Sequence, residues 1–354
     1  MIVTRPALSV ADSATIDGLR GMAALIVVAS HASNLGLHLV PGLSLAGTGK
    51  YGVYLFFVIS AFLLTLQWLQ APPGGPGTGA ALGRYLVRRV LRIYPLYAAV
   101  LLLGWLLPRG LGVPMDGAAV WTHLTLHEGR DLYWSVPVEF KYYLVIPLVA
   151  WMLSTPWPTP WKVLLVALLI AAAMFTNPPA QAAVNSIELG DYMPIFLCGS
   201  ALAWAWAVGG VGVSSARGPG RFVCDLLLLG LLAATVPAVL QALGWKVPAD
   251  LLHRQFLAWG VFWSLVLMLV LRGWLPACAA MLRWRALQAC GRWCFGIYLL
   301  HMPALYLAKR LPGPESGRAW VGLVLALAVA AVAHALIERP AMRWACAVTR
   351  KTTG

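Results

Sequence analysis

Residues 16–31, IDGLRGMAALIVVASH, place a titratable histidine inside the first apolar run long enough to enter a bilayer. A helix satisfies its backbone polar groups internally, so an apolar stretch of this length reads as a membrane helix. Arg20 and His31 lie roughly three turns apart and share a stripe, with Asp17 and His38 beside it. At ~1.5 Å per residue the stripe joins an arginine near one membrane face to an imidazole roughly 16 Å deeper. That puts His31 about halfway along a span expected at 19–40. An ionisable group at such depth is costly in hydrocarbon and marks a candidate functional site.

The rest of the chain agrees with this reading. Of its 354 residues, 60% are hydrophobic and 11% charged, against about 25% charged in a soluble domain. Polar surface is too scarce to cover a soluble core, so lipid must cover it. Apolar runs fall near 19–40, 51–70, 93–111, 133–153, 161–176, 187–209, 222–243, 254–271, 288–309 and 319–338. They predict an all-α polytopic membrane protein with about ten transmembrane helices. The breaks carry turn chemistry: APPGGPGTG at 71–79, STPWPTP at 154–160, GGVGVSSARGPG at 209–220 and RLPGPESGR at 310–318. No internal repeat and no linker is apparent, so residues 1–354 are expected to form a single transmembrane domain with no fused soluble domain. Residues 1–15 lack a basic leader running into a short apolar core, and the first span is expected to stay as a helix.

Net charge is +14, which in a soluble protein would suggest nucleic acid. Here the basic residues sit mostly in short loops between apolar runs. Arg5, Arg84, Arg88, Arg89, Arg92, Arg217, Arg283, Arg285, Arg339 and Arg343 all fall on the N-terminal side of the membrane. The bias predicts both termini in the cytoplasm, with the bilayer as partner and no nucleic acid. The six cysteines (198, 224, 278, 290, 294 and 346) form no CxxC pair. They read as small packing residues, and no metal site is expected.

Four further stretches could carry chemistry. In GKYGVYLFFVISAFLLT (49–65), Gly52, Ser60 and Ala61 suit close packing against the first helix. In RYLVRRVLRIYP (84–95), Arg84, Arg88 and Arg92 line one helical face with Arg89 beside them. Such a cluster serves topology and lipid headgroups, or docks a cytosolic polyanion through bidentate guanidinium–phosphate contacts. In LYWSVPVEFKYYLVIPL (132–148), Glu139 lies inside a span, one turn from Ser135, with Lys141 and Tyr142 nearby. It could orient a histidine, pair with Arg20 or Lys141, or hold acceptor hydroxyls. In CGRWCFGIYLLHMP (290–303), His301 is either a packing residue or part of the site. Asp191 and His334 are further polar groups in apolar surroundings, and Glu338 before Arg339 reads as a cytoplasmic helix end.

In this order the segments resemble acyltransferase family 3, the integral-membrane O-acyltransferases of bacteria and some eukaryotes. The matching pieces are DGLRGMAALIVVASH (17–31), GVYLFFVISAFLLT (52–65), RYLVRRVLRIYP (84–95), YWSVPVEFKYYL (133–144), FGIYLLHMP (295–303) and ERP (338–340). The resemblance implies transfer of an acyl group, commonly acetyl, from cytosolic acyl-CoA. The receiver would be a hydroxyl of a carbohydrate or lipid-linked glycan handled at the membrane. Acyl-CoA would be a co-substrate, with no permanently bound cofactor, and the location would be the bacterial inner membrane. His31 matches the family's essential histidine, Arg20 its first-helix arginine, and Glu139 the acid after the tryptophan–serine pair. Arg89 and Arg92 match the arginine pair suited to the donor's phosphates, with Arg88 alongside. Tyr54 stands where many members have an acid, and Ala61 where glycine is usual; the latter is expected to alter packing between the first two helices.

Acyl transfer to an alcohol needs the hydroxyl proton removed and the developing oxyanion stabilised. Neutral His31 suits the role of general base, and Glu139 that of orienting its ring. Asp17, Ser60, Ser135, Tyr142 and His301 are the remaining site candidates. A secondary transporter for a small anionic or sugar-like solute would also bury such groups in Gly/Pro-broken helices, and stands as the alternative.

Overall fold

The computed structural model describes residues 8–70, 78–106, 114–209 and 220–351. Among them there is no β-strand, only one isolated bridge between Val40 and Leu43. The turn stretches at 71–77 and 210–219, the end of the third expected span at 107–111, and Arg5 and Arg217 lie outside the described residues. The helices run α1 (Val10–Asn34), α2 (Gly49–Gln70), α3 (Thr78–Leu106), α4 (Gly117–Leu124), α5 (Ser135–Ser154), α6 (Thr159–Thr176), α7 (Leu189–Val208) and α8 (Gly220–Ala233). They continue with α9 (Pro237–Ala242), α10 (Ala249–His253), α11 (Phe256–Leu271), α12 (Pro276–Leu282), α13 (Arg285–Arg292), α14 (Cys294–Lys309), α15 (Glu315–Ala333) and α16 (Arg339–Lys351). The all-α class is as expected, but the count of about ten spans is not reached. Five described helical stretches are long and apolar enough to cross a bilayer, or six if α11 and α12, bent by 87°, form one broken span. Several expected runs are interrupted: 222–243 divides into α8 and α9, and 288–309 breaks at Trp293 between α13 and α14.

The first helix is longer at its start, and ends sooner, than its apolar run suggests. Ser9 and Asp12 form a reciprocal capping box that starts α1 at Val10. At the other end Gly36 adopts φ +76°, and the N–H groups of Gly36 and Leu37 donate to the carbonyls of Ser33 and Ala32. This is a Schellman stop, which glycine permits without a Cβ penalty. His31 therefore stands in the last turn of α1, not halfway along it. His38 is off the helix altogether and pairs with Glu315, 2.6 Å away.

Helix α2 is the centre of the bundle, packed by α1, α5, α7 and α11. Its contact with α1 is close because a Cβ on Gly52 would lie 2.4 Å from the Ala23 carbonyl oxygen. Ala61 turns the other way, onto Gly199 of α7. The alanine in place of the usual glycine thus bears on the α2–α7 contact and not on the α1–α2 contact, and Gly199 supplies the missing space. At the other extreme, only 6% of the α6 window is buried, and Trp161, Leu168 and Phe175 point outward from it. A face of that composition is stable only against lipid. The protein is an integral membrane protein.

Candidate active site

His31 makes its closest side-chain contact with His301 of α14, Nδ1 to Nε2 at 2.6 Å. The proton positions follow from what surrounds the pair. Nδ1 of His301 faces two carbonyl oxygens, Tyr298 at 2.7 Å and Ile297 at 3.1 Å. Carbonyls only accept, so this nitrogen carries the hydrogen. His301 is fully buried and has no carboxylate partner among the described residues, so it is held uncharged. Its Nε2 is then an acceptor, and His31 must donate Nδ1–H to it. The lone pair of His31 is left on Nε2, opposite Gly49 of α2, where an added Cβ would lie 3.8 Å away.

His31 lines a cavity of about 430 Å³ on the side of the bundle where α1 ends and α2 begins. Asn34, Lys50, Asp131, Asn185, His253 and Tyr306 supply much of its polar wall. Asp131 (φ +47°) and Asn185 (φ +58°) are two of three described non-glycine residues in the left-handed region, which holds backbone strain at the cavity rim. Lying outside the long helices, His253 donates Nε2–H to the Gly47 carbonyl at 2.5 Å. Burial lowers the pKa of this imidazole below its ordinary value, and the Gly47 bond opposes the shift. Tyr54, the residue in place of the family's acid, is fully buried and donates to the His253 carbonyl at 2.7 Å. It acts as a strut beneath α10.

A second cavity of about 80 Å³ shares Val53 and Tyr298 with the first. Arg20, Arg89, Arg92, Ser60, Ser135 and Glu139 line it. Glu139 accepts from Ser60 Oγ at 2.6 Å and from Tyr143 Oη at 2.7 Å. It thus does not orient the His31 ring; His301 does. Nor does it pair with Lys141, which donates to the Ile187 carbonyl. Of the three arginines, Arg20 reaches Asp17 only at 3.9 Å, and Arg92 donates to Met342 Sδ. Arg89 lies between the Tyr85 and Tyr143 rings, with its Nε buried and unbonded. No carboxylate neutralises Arg89 or Arg92 within ion-pair distance among the described residues, so the cavity is electropositive. Ser135 donates to Tyr298 Oη at 2.8 Å, and that hydroxyl donates to the Leu132 carbonyl.

Arg88, Tyr142 and Asp17 line neither cavity. Arg88 turns off the cavity and donates through Nε and Nη2 to Thr349 of α16, because helical spacing points it about one turn-quarter away from Arg89. Tyr142 hydrogen-bonds Ser200 of α7 at 2.8 Å and is a packing contact. Glu338, expected at a cytoplasmic helix end, is buried in a π-turn at His334–Glu338, with His334 Nδ1 at 3.3 Å. The register shift of the π-turn rotates it inward. Sequence reasoning overlooked Tyr298, Tyr143 and Lys50. Only the hydroxyl of Tyr298, one turn before His301, offered a signal.

The smaller cavity is lined almost wholly by the segments whose order resembles the acyltransferases, and the larger one partly, through His31 and Tyr298 among others. No curated relative and no solved structure matches the chain. A family model described as an acyltransferase domain matches residues 13–337, nearly its whole length; the chain belongs to this family of acyltransferases, acyltransferase family 3.

Proposed function

We propose that this protein is a membrane O-acyltransferase. It moves an acyl group, acetyl in the first place, from cytosolic acyl-CoA to a hydroxyl of a carbohydrate or related acceptor. The observation that carries the reading is the His31–His301 pair, which leaves an unprotonated ring nitrogen at the wall of a solvent-sized cavity. His31 Nε2 takes the proton as the acceptor oxygen attacks the thioester carbonyl. The C–S bond then breaks, and the imidazolium returns the proton to the departing thiolate. Throughout, Nδ1–H stays bonded to His301, so the ring does not have to turn between steps.

The adjoining electropositive cavity suits the donor. Arg89 and Arg92 hold phosphate oxygens, and Arg20 adds positive charge to the same cavity. At about 80 Å³ this cavity is well below the roughly 300–1,000 Å³ of nucleotide- or drug-sized sites. It has room for one part of the donor only, with the rest lying outward along the arginine face of α3. The basic bias supports a reading with that face, and both termini, on the cytoplasmic side of a bacterial inner membrane. The larger cavity then opens to the opposite side, where an envelope glycan would enter.

The test uses detergent-purified protein and acetyl-CoA. Wild type should bind and slowly hydrolyse it, Arg89→Ala/Arg92→Ala should lose binding, and His31→Ala should bind without turnover. Full turnover by His31→Ala, or no affinity of wild type for any CoA thioester, rejects the reading; consumption of CoA thioester separates it from solute transport.

A further inference from the structure

The cavity in front of His31 contains a cation that the transfer chemistry leaves unused. Lys50, in the first turn of α2, lines that cavity and is part-buried, with Nζ 5.8 Å from the centre of the Trp134 ring. It makes no hydrogen bond or ion pair among the described residues. Asp131 lines the same cavity but stays beyond ion-pair distance of it. The ammonium is partly desolvated over the Trp134 ring, with Asp250 attracting it and Arg254 repelling it from beyond ion-pair distance, so its charge is only partly compensated. Topology does not account for it either, because Lys50 is at the opposite end of the bundle from Arg89 and Arg92, against the basic bias.

The backbone around Lys50 has the same electrostatic sign. Gly49 and Lys50 are the first residues of a helix of 22 residues, so their N–H groups precede its internal ladder and carry the positive end of its dipole. Both line the cavity. Gly49 faces His31 Nε2 at contact range, as its added Cβ would be 3.8 Å away. The ammonium, the helix start and the base thus line one cavity.

We propose that the acceptor carries an anionic oxygen group, a carboxylate or a phosphate, near the hydroxyl that is acylated. Lys50 and the first turn of α2 hold that group, and this positions the hydroxyl at His31 Nε2. Asn34 and Asn185 remain for neutral hydroxyls. Lys50 is a specificity-determining residue: a neutral glycan lacking the anion leaves its charge only partly compensated. The word acceptor rests on the acyl-transfer reading, but the binding of the anion does not.

The experiment measures calorimetric binding of three probes to detergent-purified full-length protein without any CoA: methyl glucoside, glucuronate and glucose 6-phosphate. Wild type should bind at least one anionic sugar about tenfold or more tightly than the neutral one, the scale of a hydrogen bond to a charged group. The preferred anion tells carboxylate from phosphate. Lys50→Met should bring the probes to equal affinity, and Lys50→Arg should retain part of the preference. Equal affinities in wild type, no binding of either anion, or an undiminished preference in a folded Lys50→Met variant overturns the proposal. Acetyl-CoA consumption by wild type is read separately, so failure of the transferase reading and failure of the anion site are distinguishable.

Discussion

Replacement of His301 by leucine tests the orientation of the base. The substitution fills most of the ring's volume but removes the acceptor 2.6 Å from His31 Nδ1 and the donor to the Tyr298 carbonyl at 2.7 Å. His31 then has a donor in an apolar wall with nothing to accept from it, at a cost of ~1–3 kcal/mol. The ring escapes this cost by rotating or by moving its proton to Nε2, and either change removes the lone pair from the acceptor. At about 1.4 kcal/mol per tenfold, kcat should fall roughly 10- to 100-fold. The arginines are untouched, so KM for acetyl-CoA should change less than about twofold, the mark of an interaction made beyond donor binding. His301→Gln offers an amide oxygen to His31 and should recover part of the loss. The assay is thiol release from acetyl-CoA by detergent-purified protein, with the thermal midpoint measured alongside. A folded leucine variant with kcat near wild type, or a loss confined to KM, would refute the pairing as the source of orientation.

Two other expectations concern the frame of the site. Gly52→Ala drives a methyl group to within 2.4 Å of the Ala23 carbonyl and should lower stability by about 1–3 kcal/mol, as overpacking does; an unchanged unfolding midpoint in detergent would show that α1 and α2 are not locked there. Acid should loosen α10, because the His253 imidazole has its pKa lowered by burial. Below its ordinary pKa of about 6.5 the unfolded segment binds a proton that the folded one does not, so stability falls with pH across the window beneath that value. Hydrogen exchange at residues 249–253 should speed up there in wild type and stay flat in His253→Gln.

The membrane class was legible in the sequence because it depends on composition and run length, which are local properties. So was the family, since six short segments in fixed order are a linear signal. The arginine face of α3 was readable from spacing alone, but which guanidiniums meet the cavity was not: Arg88 and Arg89 are neighbours in the chain and diverge in space. The span count was not fixed by the sequence, because an apolar run does not reveal where a helix breaks, as at Trp293.

The sequence by itself determined that ionisable groups are buried in an apolar helical protein of this family, because hydropathy, charge placement and motif order need no long-range contact. Only the tertiary structure decided their partners. His301 is distant from His31 in sequence and adjacent to it in space, whereas Glu139, one candidate to orient the ring on sequence grounds, bonds Ser60 and Tyr143 instead. A hydrogen bond requires two atoms within about 3 Å, and only the packing of α1 against α14, and of α2 against α5, fixes which atoms those are.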